Sequence, residues 1–157
     1  MELTAKELAK KISLPGNKKY TVSQKKISVA GDLAKNLKPD APETEPVTLK
    51  IVNENVFDQN SPLLVIGDSH TLIFSSGGDM LAEKSGICEL LAAETGLPVD
   101  RIGIKGSAAS AVRVDLFRKA AKDSLWLKNK KVIIYCFSCR EFTEAASGWA
   151  KIPVLRK

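Results

Sequence analysis

Three short segments rich in aliphatic residues mark the second half of the chain, at residues 63–66, 101–105 and 132–137. Short aliphatic runs closed by glycine or polar residues are typical of strands that are buried on both faces of a parallel sheet. The third segment is the most apolar, so we expect it to lie inside the sheet. On this basis Ile134 should be buried, whereas the nearby Lys130 should be exposed to solvent.

Between these segments the apolar positions recur with the period of an amphipathic helix. Residues 81–95 predict one helix that ends at Gly96, and residues 107–122 predict a second helix that Ser107 caps. The positions that we expect to face the sheet are Ile87, Leu90, Leu91, Val112, Leu116 and Ala120. Strands that alternate with helices of this length form right-handed βαβ units, which predicts an α/β fold with a parallel sheet flanked by helices on both faces.

The beginning of the chain follows a different pattern. Residues 2–13 predict an amphipathic helix, residues 31–37 a short helical turn, and residues 47–51 a half-buried strand at an edge or in a hairpin. We therefore expect a single domain. In it, residues 62–157 form a βαβαβ core, and residues 1–61 form a peripheral helix, loop and edge strand.

Composition narrows the class of protein. The 157-residue chain is 44% hydrophobic and 27% charged, which excludes a disordered or fibrous protein. Its longest apolar run, residues 132–137, is far too short to span a bilayer, and the first residues lack the apolar stretch of a signal peptide. Direct insertion into a membrane is therefore not expected.

The formal net charge of +6 is unevenly distributed along the chain. Residues 1–50 carry ten lysines against six acids, residues 51–100 one lysine against eight acids, and residues 101–157 thirteen basic residues against four acids. A basic protein with an acidic middle lacks the continuous positive stripe of a nucleic-acid binder. Two interpretations of the basic regions remain, namely solvated lysine-rich faces and attraction to an anionic polymer.

Three cysteines and a single histidine provide too few ligands for a disulfide scaffold or a metal site, and we expect no cofactor. Cys136 and Cys139 do have the spacing of a redox pair. Because Cys136 lies inside the third aliphatic segment, we favour its packing as a small hydrophobic residue over redox chemistry.

The turns after the predicted strands are the places where chemistry is expected, because ligands of open α/β sheets bind at the carboxyl ends of the strands. The first turn carries Gly67, Asp68 and Ser69. Glycine permits a sharp turn, after which a serine hydroxyl can lie beside backbone N–H groups that hold a developing oxyanion. The alternative is that Asp68 and Ser69 only cap the following turn.

The segment from Leu63 to His70, Leu-Leu-Val-Ile-Gly-Asp-Ser-His, resembles the GDS block of the SGNH hydrolase superfamily. The further pieces that resemble its alginate O-acetyltransferase branch (AlgX/AlgJ-related) are Gly-Asp-Leu at 31–33, Gly-Gly-Asp at 77–79, and the closing segments 135–145 and 148–153. This resemblance implies a flavodoxin-like (SGNH) fold and acetyl transfer through a serine acyl-enzyme.

The resemblance also implies roles for individual residues. Ser69 matches the nucleophile of the family. Backbone donors for the oxyanion are implied at Gly67, Gly106 and Ser107, and Arg140 matches an arginine that follows the third strand.

The chain departs from the branch in one respect, because the branch draws its catalytic acid and base from an Asp-x-His motif upstream of the GDS block, and this sequence lacks that motif. We therefore expect an N-terminally incomplete domain with little or no activity of its own. It would be exported to the periplasm if a signal sequence lies upstream, and cytoplasmic if Met1 is the true start.

Several side chains near these turns have more than one interpretation. His70 can activate Ser69, line the pocket or support the turn. Asp79 can orient His70, hold the glycines at 77–78 in place, or simply begin a helix. Arg140 can clamp a carboxylate or acyl oxygen, or pair with a nearby acid such as Asp68 to fasten the end of the sheet.

Trp149 can stack on a sugar ring or seal the core.

The function that we expect is acetyl transfer to or from a polysaccharide through Ser69. The partners that the resemblance implies are a polysaccharide acceptor and an acyl donor, such as a membrane O-acyltransferase. The alternative is a non-catalytic carbohydrate-binding or scaffold module, and a third interpretation is a basic surface that binds anionic polymers.

Overall fold

The computed structural model describes residues 7, 14, 16–30, 43–106, 109–143, 146–149 and 151–153, apart from the side chain of Arg140. The strands in these ranges are β1 (Val22–Val29), β2 (Glu45–Val52), β3 (Leu63–Gly67), β4 (Asp100–Gly103) and β5 (Val132–Cys136). The helices are α1 (Ile87–Thr95), α2 (Ala109–Lys122), α3 (Ser124–Lys128) and α4 (Arg140–Thr143), and a 3-10 turn covers Ser69–Thr71.

β3 is the central strand of a parallel sheet with the order β4-β3-β5. Leu64 pairs with Asp100 of β4 on one side and with Ile133 of β5 on the other. The three aliphatic segments of the sequence are these three strands, and the helices between them make parallel pairing possible. The predicted parallel sheet is therefore confirmed.

Helices cover both faces of this sheet. Alternate side chains of β3 point to opposite faces, and every residue of the strand is buried. On one face Leu63 and Val65 pack in a cluster with Cys88 and Ala92 of α1. The cluster on the other face joins β3 and β4 to α2 and α3 and consists of Leu64, Ile66, Ile102, Val112, Leu116, Ala120 and Trp126. The α/β fold with helices on both faces is thus confirmed.

The expectation that the most apolar segment lies inside the sheet is wrong within the described residues. β5 pairs only with β3 there, and Ile133 keeps 44% of its surface exposed. Ile134 is partly buried and packs against the cluster of α1. Apolar character reports what lies above and below a strand, whereas the number of strand neighbours depends on the topology of the whole sheet.

α1 begins six residues later than the periodicity predicts. Gly86 is its N-cap, and Lys84 just before it has a positive φ of 58°, a conformation that a helix cannot contain. Ile87 is 42% exposed instead of facing the sheet, because the buried face runs through Cys88 and Ala92, one helical turn apart. The predicted end is correct, since Gly96 closes the helix with φ 71°.

α2 has the inward face that the sequence predicts, with Val112, Leu116 and Ala120 buried. The short α3 follows as a separate helix. Its N-cap is Asp123, whose side chain accepts hydrogen bonds from the backbone N–H groups of Leu125 and Trp126.

The predicted strand at residues 47–51 is part of β2, which pairs in antiparallel fashion with β1. Residues 31–37 and Ser107 lie outside the described residues, and of the predicted helix at 2–13 only Glu7 is described, in a helical conformation. None of the helices in the described ranges combines the length and hydrophobicity needed to cross a bilayer.

The side chain of Lys130 is buried, which contradicts the expectation of solvent exposure. Only 1% of its surface is accessible, and its ammonium lies 2.9 Å from a carboxylate oxygen of Asp100. It also donates hydrogen bonds to the carbonyl oxygens of Gln59 and Ser61 at 2.6 and 2.7 Å. Lys130 therefore ties the segment before β3 to the segment before β5.

Candidate active site at the carboxyl edge of the sheet

Three loops meet at the carboxyl edge of the parallel sheet. Gly67 at the end of β3 is in register with Gly103 at the end of β4 and with Cys136 at the end of β5. Since the three strands run in the same direction, the loops that carry Ser69 and Gly106 leave from the same edge. Arg140 begins α4 just beyond β5, at this edge too, but its side chain lies outside the described part of the structure.

Gly67 permits a close approach between two chain segments. A Cβ atom at this position would lie 2.7 Å from the carbonyl oxygen of Cys136 and would also collide with the side chain of Thr71. The glycine is therefore required by packing, because a side chain here would collide with the end of β5 and with the turn that begins at Ser69.

Asp68 is the N-cap of the 3-10 turn that follows β3 and is almost fully buried. Its Oδ1 accepts a hydrogen bond from the backbone N–H of His70 at 2.9 Å and lies 2.9 Å from Nδ1 of the same histidine. The capping interpretation of Asp68 fits this geometry. In addition, Asp68 fixes one ring nitrogen of His70, whose side chain is 59% exposed.

Ser69 lies between these two residues, at the start of the 3-10 turn, and is partly buried. In the described part of the chain its hydroxyl makes no hydrogen bond to any other residue, and none to His70 in particular. A base that removes its proton must come within about 2.6–3.2 Å. The described residues therefore hold the serine in an accessible turn without a positioned base.

Asp79 does not orient His70. Its carboxylate instead pairs with the ammonium of Lys105, and this hydrogen bond holds the pKa of the Asp79 carboxyl below its usual range. Lys105 immediately precedes Gly106, so the pair joins the loop after β3 to the loop after β4. Gly77 has a φ of 61°, and a role of Asp79 in holding the glycines at 77–78 stays a prediction.

Gly106 is exposed and has a φ of 67°, which suits a turn. Ser107 lies outside the described residues. The oxyanion donors therefore stay a prediction, supported by the shared edge of β3 and β4.

An aromatic cluster beside α4 was missed by the sequence analysis, which singled out Trp149 alone. Phe137 packs against Tyr135, Phe142 and Trp149 with centroid distances of 4.9–5.6 Å. The guanidinium of Arg113 lies 5.2 Å from the ring centroid of Trp149. Phe142 and Trp149 are exposed, whereas Tyr135 packs against the core cluster of α2 and α3. The signal in the sequence was the presence of aromatic residues directly after the third strand.

A mainly apolar cavity of about 510 Å³ lies next to His70. The other residues that line it are Phe74, Ser85, Gly86, Ile87, Leu90, Leu91 and Glu94. It lies between the loop after β3 and the outer side of α1, and its lining suits an apolar group.

The two cysteines with redox spacing are both free thiols. Burial, together with the negative charge of Asp68, raises the pKa of the Cys136 thiol, which disfavours the thiolate that redox chemistry needs. Cys136 also packs against the cluster of α1, as a small hydrophobic residue does. Among the described residues there is no group of three histidine, cysteine or acidic side chains that could hold a metal ion.

Comparisons with known proteins establish the fold. No protein-family model and no curated protein sequence matches the chain. Among solved structures, AlgX of Pseudomonas aeruginosa superposes with a TM-score of 0.55 at 15% identity, over 85% of this chain and 31% of its own. The O-acetyltransferase domain of Pseudomonas putida AlgJ superposes with a TM-score of 0.57 at 16% identity, over 85% of this chain and 46% of its own.

These neighbours are the two proteins after which the predicted branch is named, so the likeness predicted from the motifs is confirmed at the level of the fold, which is SGNH-like. The chain spans less than half the length of either neighbour. At 15–16% identity the likeness concerns the fold, and activity must be argued from the site itself.

Proposed function

We propose that this protein is an SGNH-type O-acyltransferase or esterase-like domain, in which Ser69 carries an acetyl group to or from a polysaccharide. The observation that carries this proposal is the position of Ser69, directly after a buried central strand and between Asp68 and an imidazole that Asp68 holds. The O-acetyltransferase domain of AlgJ, which has the same fold, supports the reaction class.

In the proposed reaction the Ser69 Oγ attacks the carbonyl carbon of an acyl donor while a base takes the hydroxyl proton. Backbone N–H groups at Ser69 and in the loop around Gly106 stabilise the tetrahedral oxyanion. Collapse of this intermediate releases the donor alcohol and leaves an acyl-enzyme. A carbohydrate hydroxyl or water then attacks the acyl carbon, and Ser69 regains its proton.

His70 is the histidine of this chain that can serve the reaction. Because Asp68 engages Nδ1, Nε2 is the nitrogen that remains for proton transfer with an acceptor hydroxyl. The described residues show no hydrogen bond between His70 and Ser69. We therefore propose that His70 assists the acceptor, and that the chain alone deprotonates Ser69 inefficiently.

The surroundings of the turn suit the two substrates that the proposal requires. The apolar cavity beside His70 can take the methyl group of an acetyl donor. The exposed rings of Phe142 and Trp149 can stack against the C–H faces of sugar rings in an acceptor polysaccharide. We also propose that a membrane O-acyltransferase supplies the acyl group.

The second candidate is a non-catalytic carbohydrate-binding or scaffold module with the same fold. The observation that favours it is the Ser69 hydroxyl, which has no hydrogen-bonding partner in the described ranges. In such a module the aromatic cluster would bind the polysaccharide, and Ser69 would only terminate the strand.

Labelling with a fluorophosphonate probe separates the two candidates, because the probe reacts with nucleophilic serines. We expect slow labelling of the wild-type chain, no labelling of Ser69→Ala, and unchanged labelling of Ser76→Ala. Ser76 is a matched control because it is an exposed serine in the loop that follows the same strand. Equal labelling of the wild type and Ser69→Ala would favour the non-catalytic module.

Turnover of an aryl acetate measures the contribution of the base. Loss of a triad partner costs roughly 10⁴-fold or more in kcat, so we expect little or no esterase turnover of this chain. Fast hydrolysis that both Ser69→Ala and His70→Ala abolish would instead make His70 the general base for Ser69.

A further inference from the structure

Helix α1 carries two apolar stripes on different sides. Cys88 and Ala92 form the first stripe and are fully buried in the cluster that packs on β3. Ile87, Leu90 and Leu91 form the second stripe, because spacings of three and four residues place side chains on one face of a helix. This second stripe lines the mainly apolar cavity of about 510 Å³, which we call the α1 cavity.

The second stripe leaves apolar surface that the core does not use. Ile87 belongs to neither core cluster and keeps 42% of its surface exposed. Leu90 and Leu91 contact the cluster of α1 but are only partly buried, and both also line the α1 cavity. Three neighbouring aliphatic side chains on one helix face gain free energy when an apolar group removes their surface from water.

The wall opposite α1 belongs to the loop that follows β3. Phe74 of this loop lines the cavity, and its carbonyl oxygen accepts a hydrogen bond from the backbone N–H of Ser85 at 2.8 Å. Gly86 packs so closely on the same loop that a Cβ atom there would lie 2.7 Å from the Cβ atom of Ser75. The two walls are therefore held together by the fold, which lowers the entropic cost of filling the space between them.

His70 connects the α1 cavity to the candidate active site. It lines the cavity and directly follows Ser69 in the 3-10 turn. Consecutive Cα atoms are about 3.8 Å apart, so the cavity begins one residue away from the serine. Asp68 holds Nδ1 of the imidazole at 2.9 Å and thereby fixes the ring between the serine and the cavity.

The lining and the size of the α1 cavity restrict what can fill it. Among the residues that line it in the described ranges, Glu94 is the only acid and none is lysine or arginine, so a chain that ends in a carboxylate finds no permanent cation. A methyl group takes up roughly 30 Å³, about as much as a water molecule in the liquid. The seven carbons beyond the carbonyl of an octanoyl group take up about 210 Å³, which the cavity can accommodate.

We propose that the α1 cavity holds the chain of a linear, uncharged acyl group that is longer than acetyl, such as hexanoyl or octanoyl. This inference rests on the proposed function, because the acyl group is the one that Ser69 carries. The Ser69 Oγ forms the ester bond to the acyl carbon, the donor alcohol leaves with a proton, and the chain lies along Ile87, Leu90 and Leu91. Esters of medium-length fatty acids are therefore acyl donors for this site.

Titration with methyl n-alkyl ketones tests binding of the chain without any transfer reaction. The probes are acetone, 2-pentanone, 2-heptanone and 2-nonanone, which carry the carbonyl of an acyl group but no leaving group. Proton–carbon NMR spectra report binding at the methyl groups of Ile87, Leu90 and Leu91. We expect the affinity to rise about two- to fourfold with each methylene up to 2-nonanone, because each buried methylene adds a similar gain.

A matched pair of variants makes the result specific to the cavity. Ile87→Gln replaces an exposed aliphatic side chain by a polar one of similar length and should weaken binding of 2-nonanone about fivefold or more, as read from the leucine methyl groups. Leu125→Gln is the control, because Leu125 is an exposed aliphatic residue of α3 that does not line this cavity. It should change the affinity by less than about twofold.

Binding of the ketones is independent of the reaction at Ser69, so Ser69→Ala should bind 2-nonanone like the wild type. Failure of the fluorophosphonate experiment together with length-dependent ketone binding would contradict acyl transfer and still support an apolar-chain site. Labelling of Ser69 without ketone binding would contradict the α1 cavity as that site and leave the proposed function standing.

Four results would overturn the inference. They are no shift of the three sets of methyl signals with 2-nonanone at millimolar concentration, equal affinity for all four ketones, equal losses for Ile87→Gln and Leu125→Gln, and a dimer in sedimentation experiments that Ile87→Gln dissociates. The third would mean unspecific partitioning onto exposed aliphatic residues, and the fourth would assign the second stripe to contact with another copy of the chain.

Discussion

The buried carboxylate of Asp68 lies 2.9 Å from Nδ1 of His70, two residues further along the chain. The same oxygen accepts the backbone N–H of His70, so the turn itself sets the orientation of the imidazole. A motif that reads Gly-Asp-Ser-His thus places an acid–imidazole pair around a serine, whether or not that pair acts on the serine.

This contact predicts the tautomer of His70. A neutral imidazole beside a carboxylate must carry its proton on the nitrogen that faces the carboxylate, here Nδ1. Two-dimensional proton–nitrogen correlation spectra at a pH where the ring is neutral should show mainly the Nδ1–H form. Asp68→Asn should shift the population toward the Nε2–H form that dominates free histidine, and an unchanged spectrum in this variant would contradict the contact.

Gly67 should be intolerant of a side chain. A Cβ atom would lie 2.7 Å from the carbonyl oxygen of Cys136, so Gly67→Ala must move β5 or the turn that carries Ser69. Overpacking of this kind costs about 1–3 kcal/mol, which denaturation with urea measures. Gly78→Ala is the control, because no atom lies near its Cβ position and only its positive φ opposes the substitution. A smaller loss for Gly67→Ala than for Gly78→Ala would contradict the packing argument.

Removal of the Lys130 ammonium should destabilise the fold strongly. Lys130→Ala leaves the buried carboxylate of Asp100 with one cation fewer and leaves two carbonyl oxygens without their donor. Loss of one partner of a buried ion pair costs about 3–5 kcal/mol. Because Lys119 still contacts Asp100, the expected loss in free energy of unfolding lies at the lower end of this range. Lys128→Ala, on the exposed surface, should change the free energy of unfolding by no more than about 0.5 kcal/mol, and equal losses would refute the difference in burial.

Truncating a side chain of the central strand β3 should cost more stability than truncating one of β5, which pairs only with β3 in the described residues. Leu64 of β3 is fully buried, so Leu64→Ala should cost about 3–5 kcal/mol in free energy of unfolding. Ile134 of β5 is only partly buried, so Ile134→Ala should cost less than Leu64→Ala. Chemical denaturation of both variants checks this order, and a larger loss for Ile134→Ala would contradict its partial burial.

Burial raises the pKa of the Cys88 thiol to about 12, from an ordinary value of 9.0. The folded state therefore keeps this proton at a pH where the unfolded chain releases it. The contribution of the Cys88 thiol to the free energy of unfolding is fully present below pH 9 and is lost as the pH rises toward 12. The difference in free energy of unfolding between wild type and Cys88→Ala should shrink over this window. At pH 8 a thiol reagent should modify the exposed Cys139 quickly and Cys88 only on unfolding, and fast modification of Cys88 would contradict its burial.

The sequence by itself determined the strands and helices that form the core. Aliphatic segments and helical periodicity located β3, β4 and β5 and the inward face of α2, because these patterns reflect burial against whatever lies on each face. The glycine at 96 ended α1 as predicted, since a left-handed residue is a local requirement. The turn with Ser69 was also found from the sequence, because a glycine and small polar residues after a buried strand are a local signal.

Tertiary structure decided which neighbour each element and side chain has. Three features depend on the packing of segments that are distant along the chain. They are the position of β5 at an edge of the sheet within the described residues, the exposure of Ile87 and the burial of Lys130. The partner of Asp79 had the same origin. Asp79 could have reached His70 by sequence distance, but the fold gives Asp79 to Lys105, because the loops after β3 and β4 leave the sheet side by side.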